Sequence, residues 1–171
     1  MSDNNVAVRA VQPEEERAAA FGGLLNEVSL DFAARGENVA LARSLVAALV
    51  ANCREPVWDI TVSMLEEIKV AVSEAVSNAI IHGYANAAKQ NVRMHLWQYK
   101  YAFVICIIDE GVGIADVKCA MEPDFTTGAE HLGLGFAFMN SFMDEVLVDS
   151  APGRGTRVTL IKRLAEPLRK V

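Results

Sequence analysis

Cysteine is scarce in this chain and is never paired in the way a structural site needs. Cys53, Cys106 and Cys119 are odd in number and show no Cys-x-x-Cys spacing. Neither a disulfide framework nor a zinc site follows, and a reducing compartment is expected. Long apolar runs are missing too. None reaches the ~20 residues that a bilayer-crossing helix requires, and no secretory pattern opens the chain. The expected location is the cytoplasm, away from membranes. Positive charge is in short supply: 16 Lys and Arg stand against 22 Asp and Glu, for a net charge of −6. A nucleic-acid surface needs clustered Lys and Arg, so no direct nucleic-acid contact is expected. Any anionic ligand must be held by local groups rather than by the overall field.

What the chain does have is apolar substance. Hydrophobic residues make up 52% of 171 positions, enough for one domain with a real core. Residues 1–22 read as a flexible arm or a short helix start, with Pro13 ahead of Glu14, Glu15 and Glu16. Residues 23–165 read as the single domain and 166–171 as a tail. Alternation marks strands at Glu27 to Phe32 and at Asn91 to Gln98, the latter with Val92, Met94 and Leu96 inward. Tyr101 to Ile108 is apolar on both faces, as a central strand is, and Tyr99-Lys100 reads as the hairpin before it. Two more strands, Val146 to Asp149 and Thr156 to Ile161, flank the turn 152–155. Asn38 to about Ala51 is a helix that buries Val39, Ala42, Leu45, Val46, Leu49 and Val50. Arg43 lies off that stripe beside small Ala47, either solvated or on a flat protein-contact face.

The central element is a long helix. Ser63 followed by Glu66 forms a capping-box start, although a start a few residues earlier also fits. Gly83 supplies a left-handed stop. Met64, Ile68, Ala71, Val72, Ala75 and Ala79 make the buried stripe. Glu74, Asn78 and His82 recur at four-residue steps and make a second stripe beside it. A carboxylate one turn before a carboxamide suits a general base beside a magnesium ligand. Taken alone, it is also an ordinary solvated helix edge.

Three further sites carry chemistry. Asp109 ends the buried strand, with Gly111 and Gly113 just beyond. A carboxylate there can accept from a donor such as the exocyclic amine of adenine, and the glycines let a flat ring approach the backbone. A plain strand-ending turn is the other reading. Gly133-Leu134-Gly135 opens a helix whose apolar face is read as Leu134, Phe138, Met139 and Phe142. Its unpaired N–H groups and positive dipole end suit phosphates. Thr156 follows Gly155 where the last strand begins, either completing a base pocket or serving as ordinary strand threonine. Residues 116–132 form a long loop, the kind that often acts as a lid.

The order of these motifs resembles the ATP-binding superfamily shared by gyrase, heat-shock chaperone ATPases, sensor histidine kinases and mismatch-repair ATPases. The narrower resemblance is to the anti-sigma F factor family. It rests on Glu67-Ile68-Lys69 through Asn78 to Tyr84, Asp109 through Ile114, Phe125-Thr126-Thr127, Gly135-Phe136 and Phe142-Met143-Asp144. It covers roughly residues 28–164. The resemblance implies an α+β fold: a two-layer sandwich of a mixed, mostly antiparallel sheet with helices on one face. It implies an anti-sigma factor that is also a serine protein kinase, using ATP and Mg2+. Such a protein sequesters a sporulation sigma factor, phosphorylates an anti-anti-sigma protein and works as a homodimer. An ATP-binding, sigma-sequestering module with little kinase activity is the alternative.

Residue by residue, the resemblance makes Glu74 the catalytic base and Asn78 the magnesium ligand. Asp109 with Thr156 becomes the adenine contact and Arg43 a partner contact. Gly111, Gly113, Thr126, Thr127, Gly133, Leu134, Gly135 and Phe136 complete the nucleotide site. Two departures stand out. The lid between Thr127 and Gly133 is short and holds His131 where the family tends to have Arg, and the linker before the main helix is long.

Overall fold

The computed structural model describes residues 14–53, 60–85, 89–121 and 134–164. Helix α1 (Glu14–Phe21) leads into strand β1 (Leu24–Ala33) and helix α2 (Glu37–Ala51). The long helix α3 (Val62–Asn78) continues into a π-turn over Ala79–Gly83. Strands β2 (Asn91–Tyr99) and β3 (Ala102–Asp109) follow, then the short helix α4 (Val117–Ala120), helix α5 (Leu134–Phe142) and the hairpin β4 (Glu145–Ser150)–β5 (Thr156–Arg163). The strands form one sheet in the order β1-β2-β3-β5-β4. The expected α+β architecture is the one that forms. Every pairing in it is antiparallel, so among the described residues the sheet has no mixed character.

One face of the sheet carries the main core. Phe103, Ile105 and Ile107 of β3 and Val92, Met94 and Leu96 of β2 meet α2, α3 and α5 there. The α2 residues Ala42, Val46 and Val50, four apart, are fully buried against that layer. Alternate residues of β3 belong to a second, smaller cluster on the outer face. Ala102 and Val104 pack with Phe21, Tyr99 and Ile161. The central strand is thus apolar on both sides because both sides are covered. Helix α1 supplies the outer cover: Phe21 packs at 5.9 Å from the Tyr99 ring and the Arg17 guanidinium stacks 4.3 Å over Trp97. Of the two readings of the acidic run after Pro13, the helix is the one seen.

Local signals place several boundaries differently from the sequence reading. The N-cap of α3 is Thr61, whose hydroxyl accepts from the Met64 N–H at 3.1 Å. Ser63 is already inside the helix and donates to Glu67 Oε1 at 3.1 Å, so the Ser63–Glu66 capping box does not form. Gly83 is not a left-handed stop: among the described residues the glycines with positive φ are Gly22, Gly113, Gly153 and Gly155. The helix instead widens, and the Tyr84 N–H bonds the carbonyl of Ala79 at 3.1 Å, the i→i+5 spacing of a π-turn. Glycine is needed at 83 for space: a Cβ there would lie 2.7 Å from Asp109 Oδ1. The β2–β3 turn is Lys100-Tyr101, one residue later than read, with Tyr99 and Ala102 paired.

The expected apolar face of α5 is also displaced. Gly135, Phe136 and Met139 are the buried residues, while Leu134 is 63% and Phe138 41% exposed. The cause is close approach to α3. Glu74 Oε2 lies 3.0 Å, and Asn78 Nδ2 3.4 Å, from where a Gly135 Cβ would stand. A side chain at that point would press on the Glu74 and Asn78 side chains, so glycine lets the two helices meet there without displacing them.

Candidate functional site

The site lies between α3, the π-turn, the ends of β3 and β5, and α5. A cavity of about 270 Å³ is lined by Asn78, His82, Asp109, Gly113, Phe136 and Thr156, with Ala75, Ala79, Ile107, Ile114 and Val158 among its apolar walls. The polar groups are few and convergent, as in small-molecule sites.

Asp109 is the central group. It is only 5% exposed, and burial raises its pKa against backbone hydrogen bonds from Gly111 and Thr156 that lower it. Its Oδ1 accepts from the Gly111 N–H at 2.9 Å. The surrounding backbone is pinned from several directions. The Tyr84 hydroxyl accepts from the Glu110 N–H at 2.6 Å and donates to the Asn91 carbonyl at 2.8 Å. The Val112 N–H bonds the Gly83 carbonyl at 3.0 Å. A Cβ on Gly111 would sit 2.0 Å from that same carbonyl oxygen, so the strand end and the helix end touch through bare backbone. Gly113 has φ +72 and faces the Ala151 carbonyl, with no room for a side chain.

Thr156 stands opposite Asp109 in the β3–β5 register. Its hydroxyl lies 3.0 Å from Ser150 Oγ. Asn78 and His82, one turn apart, face the cavity from the helix side. Desolvation lowers the pKa of His82, which favours a neutral ring.

The structure therefore brings Asn78, Asp109, Gly113, Phe136 and Thr156 together, with Gly111 directly behind Asp109. Gly135 packs on the Glu74–Asn78 stripe rather than on the cavity. Glu74 is partly buried, off the cavity lining, with its carboxylate against Gly135. Leu134 is exposed and is not among the residues lining this cavity. Arg43 is exposed on α2, an element that contributes no residue to the cavity. Thr126, Thr127, His131 and Gly133 lie outside the described residues. Sequence reasoning did not name His82, Ile107 or Val158 as site residues. The available signals were the third step of the Glu74 stripe for His82, and the two-residue strand period from Asp109 and Thr156 for the other two. Among the described residues, no group of three or more His, Cys, Asp or Glu side chains is placed to hold a metal.

Residues 32–162 match the family model described as the histidine kinase-like ATPase domain. Over 143 residues, 82% of this chain and 94% of the relative, the sequence is 46% identical to an anti-sigma F factor of Geobacillus kaustophilus. It is 43% identical, with the same coverage, to one of Bacillus licheniformis. Over 140 residues it is 42% identical to one of Clostridium beijerinckii, covering 81% of this chain and 94% of that protein. The fold, the motif order and these likenesses agree: the chain belongs to the histidine kinase-like ATPase domain family and, within it, to the anti-sigma F factors.

Proposed function

We propose that this protein is an ATP-dependent serine protein kinase and anti-sigma factor. It sequesters a sporulation sigma factor and phosphorylates an anti-anti-sigma protein on serine. The observation that carries the ATP reading is the buried Asp109 carboxylate lining a cavity that also holds Asn78 and Thr156. Adenine would donate its amine to Asp109, and the phosphates would run along α3 toward the start of α5. Asn78 Oδ1 fits a hard cation that keeps most of its ligands as phosphate and water oxygens. When bound, magnesium neutralises phosphate charge. Glu74 takes the proton of the acceptor serine as that oxygen bonds the γ-phosphorus. The bond to the bridging oxygen breaks and ADP leaves. In the same reading Arg43, exposed on α2 with small Ala40 and Ala47 one turn to either side, contacts the protein partner. The protein acts in the cytoplasm as a homodimer. No helix among the described residues is long and apolar enough to cross a membrane.

One observation favours the second reading, a sequestering module with little transfer activity. Glu74 faces Gly135 instead of lining the cavity, so it must turn toward the substrate to act as base. Incubation with labelled ATP and serine-bearing candidate partners tests the choice. Label appearing on the partner is expected; retention of a sigma factor without labelling selects the second reading.

A further inference from the structure

Ser150 ends β4 directly across from Thr156 and is not itself part of the cavity wall. Three hydrogen bonds meet at its hydroxyl. The Ile114 N–H donates to it at 2.8 Å. It reaches the Gly155 carbonyl at 2.8 Å and the Thr156 hydroxyl at 3.0 Å. A hydroxyl has one proton and two lone pairs. An amide N–H can only donate, and a carbonyl can only accept. The Ser150 proton is therefore committed to Gly155, and one lone pair to Ile114. The contact with Thr156 then has a single polarity: Thr156 donates and Ser150 accepts. The carbonyl that fixes this arrangement is itself held in place. Gly155 sits at φ +74 with its Cα against the Asp109 carbonyl, where a Cβ would be 2.0 Å away.

The consequence falls on the cavity. With its own proton turned to Ser150, the Thr156 oxygen shows only lone pairs to a ligand, and the Asp109 carboxylate stands beside it. We propose that Ser150 is a specificity-determining positioning residue: it holds the Thr156 hydroxyl as an acceptor and so makes this end of the cavity select amino-purines over oxo-purines. The inference rests on the nucleotide reading above and adds to it a residue outside the cavity. A 6-oxo base would bring a carbonyl toward two acceptors that cannot turn to meet it. Without Ser150, the Thr156 hydroxyl rotates freely and donates to such a carbonyl.

The test is calorimetric titration of the full chain with ADP and with inosine diphosphate. Wild type is expected to prefer ADP. Ser150→Ala is expected to narrow that preference about tenfold, one hydrogen bond's worth, while Ser150→Thr, which keeps a hydroxyl on a strand residue, retains it. Thr156→Val removes the acceptor itself. It is expected to narrow the preference similarly, with no further narrowing when combined with Ser150→Ala. Should Ser150→Ala not fold, Thr156→Val against wild type carries the test. A Ser150→Ala variant in which both affinities fall together at constant ratio overturns the proposal, since Ser150 would then only brace the turn. So would an unchanged ratio in Thr156→Val. A wild type that binds neither nucleotide overturns the nucleotide reading instead.

Discussion

Asp109 is held where a carboxylate is costly. Burial raises its pKa, so folding takes up a proton at this group. Its contribution to stability is full below the unfolded-state pKa and is lost as pH rises through the higher folded value. The charged form of this carboxylate adds nothing to the stability of the fold. Asp109→Asn is therefore expected to stay within about 1 kcal/mol of wild type in stability at pH 7. Its ADP affinity should fall at least about tenfold, because a donor now faces adenine's amine. Thermal melts between pH 7 and 5 should shift the difference in wild type's favour as pH falls; unchanged ADP affinity would remove Asp109 from the site. Asp109 was legible because a carboxylate closing an apolar strand before two glycines is a local pattern. The need for Gly83 was not. Its reason is the Asp109 side chain, 26 positions away in sequence, and no local periodicity reports a contact of that kind.

The secondary elements were legible in proportion to how one-sided they are. Strand β2 alternates, and its inward face of Val92, Met94 and Leu96 was read correctly, although its turn was placed one residue early. Helix α5 carries apolar residues around much of its circumference, so periodicity alone could not orient it. Its orientation is set by Gly135 against α3 and by an anchor at its other end. Lys162 Nζ donates to the Phe142 carbonyl at 2.6 Å and to Glu67 Oε2 at 2.9 Å. That ties the C-terminus of α5 to α3 and β5. The Lys162 hydrogen bond is the leading cause that lowers the pKa of Glu67. The pair's stabilisation is thus present above the unfolded carboxylate pKa and lost as pH falls through the lowered folded value. Lys162→Met should destabilise by about 1–2 kcal/mol, given a partly exposed partner. The midpoint should drop by about 2–8 °C, with the loss shrinking in acid. A melt unchanged at pH 7 would show that Gly135 alone seats the helix.

For the whole molecule, the separation of surfaces matters most. Arg43 and the cavity lie on different elements, so partner capture and nucleotide binding should be separable. Arg43→Glu is expected to weaken sigma-factor retention by about 2 kcal/mol or more while ADP titration stays unchanged. Undiminished co-purification would assign that helix face to solvent. The domain's layers and motif order were legible from sequence. The placement of Glu74 against Gly135 was not, because it depends on how closely two helices approach. That carboxylate also carries the central claim, and one measurement addresses it: the rate of labelled phosphate transfer from ATP to the serine-bearing partner, for wild type and Glu74→Gln. Transfer by wild type is expected, with a loss of about 10²–10⁴-fold in the variant and ATP still bound through Asn78 and Asp109. Transfer by Glu74→Gln at the wild-type rate would contradict that claim and make Glu74 a packing partner of Gly135 alone.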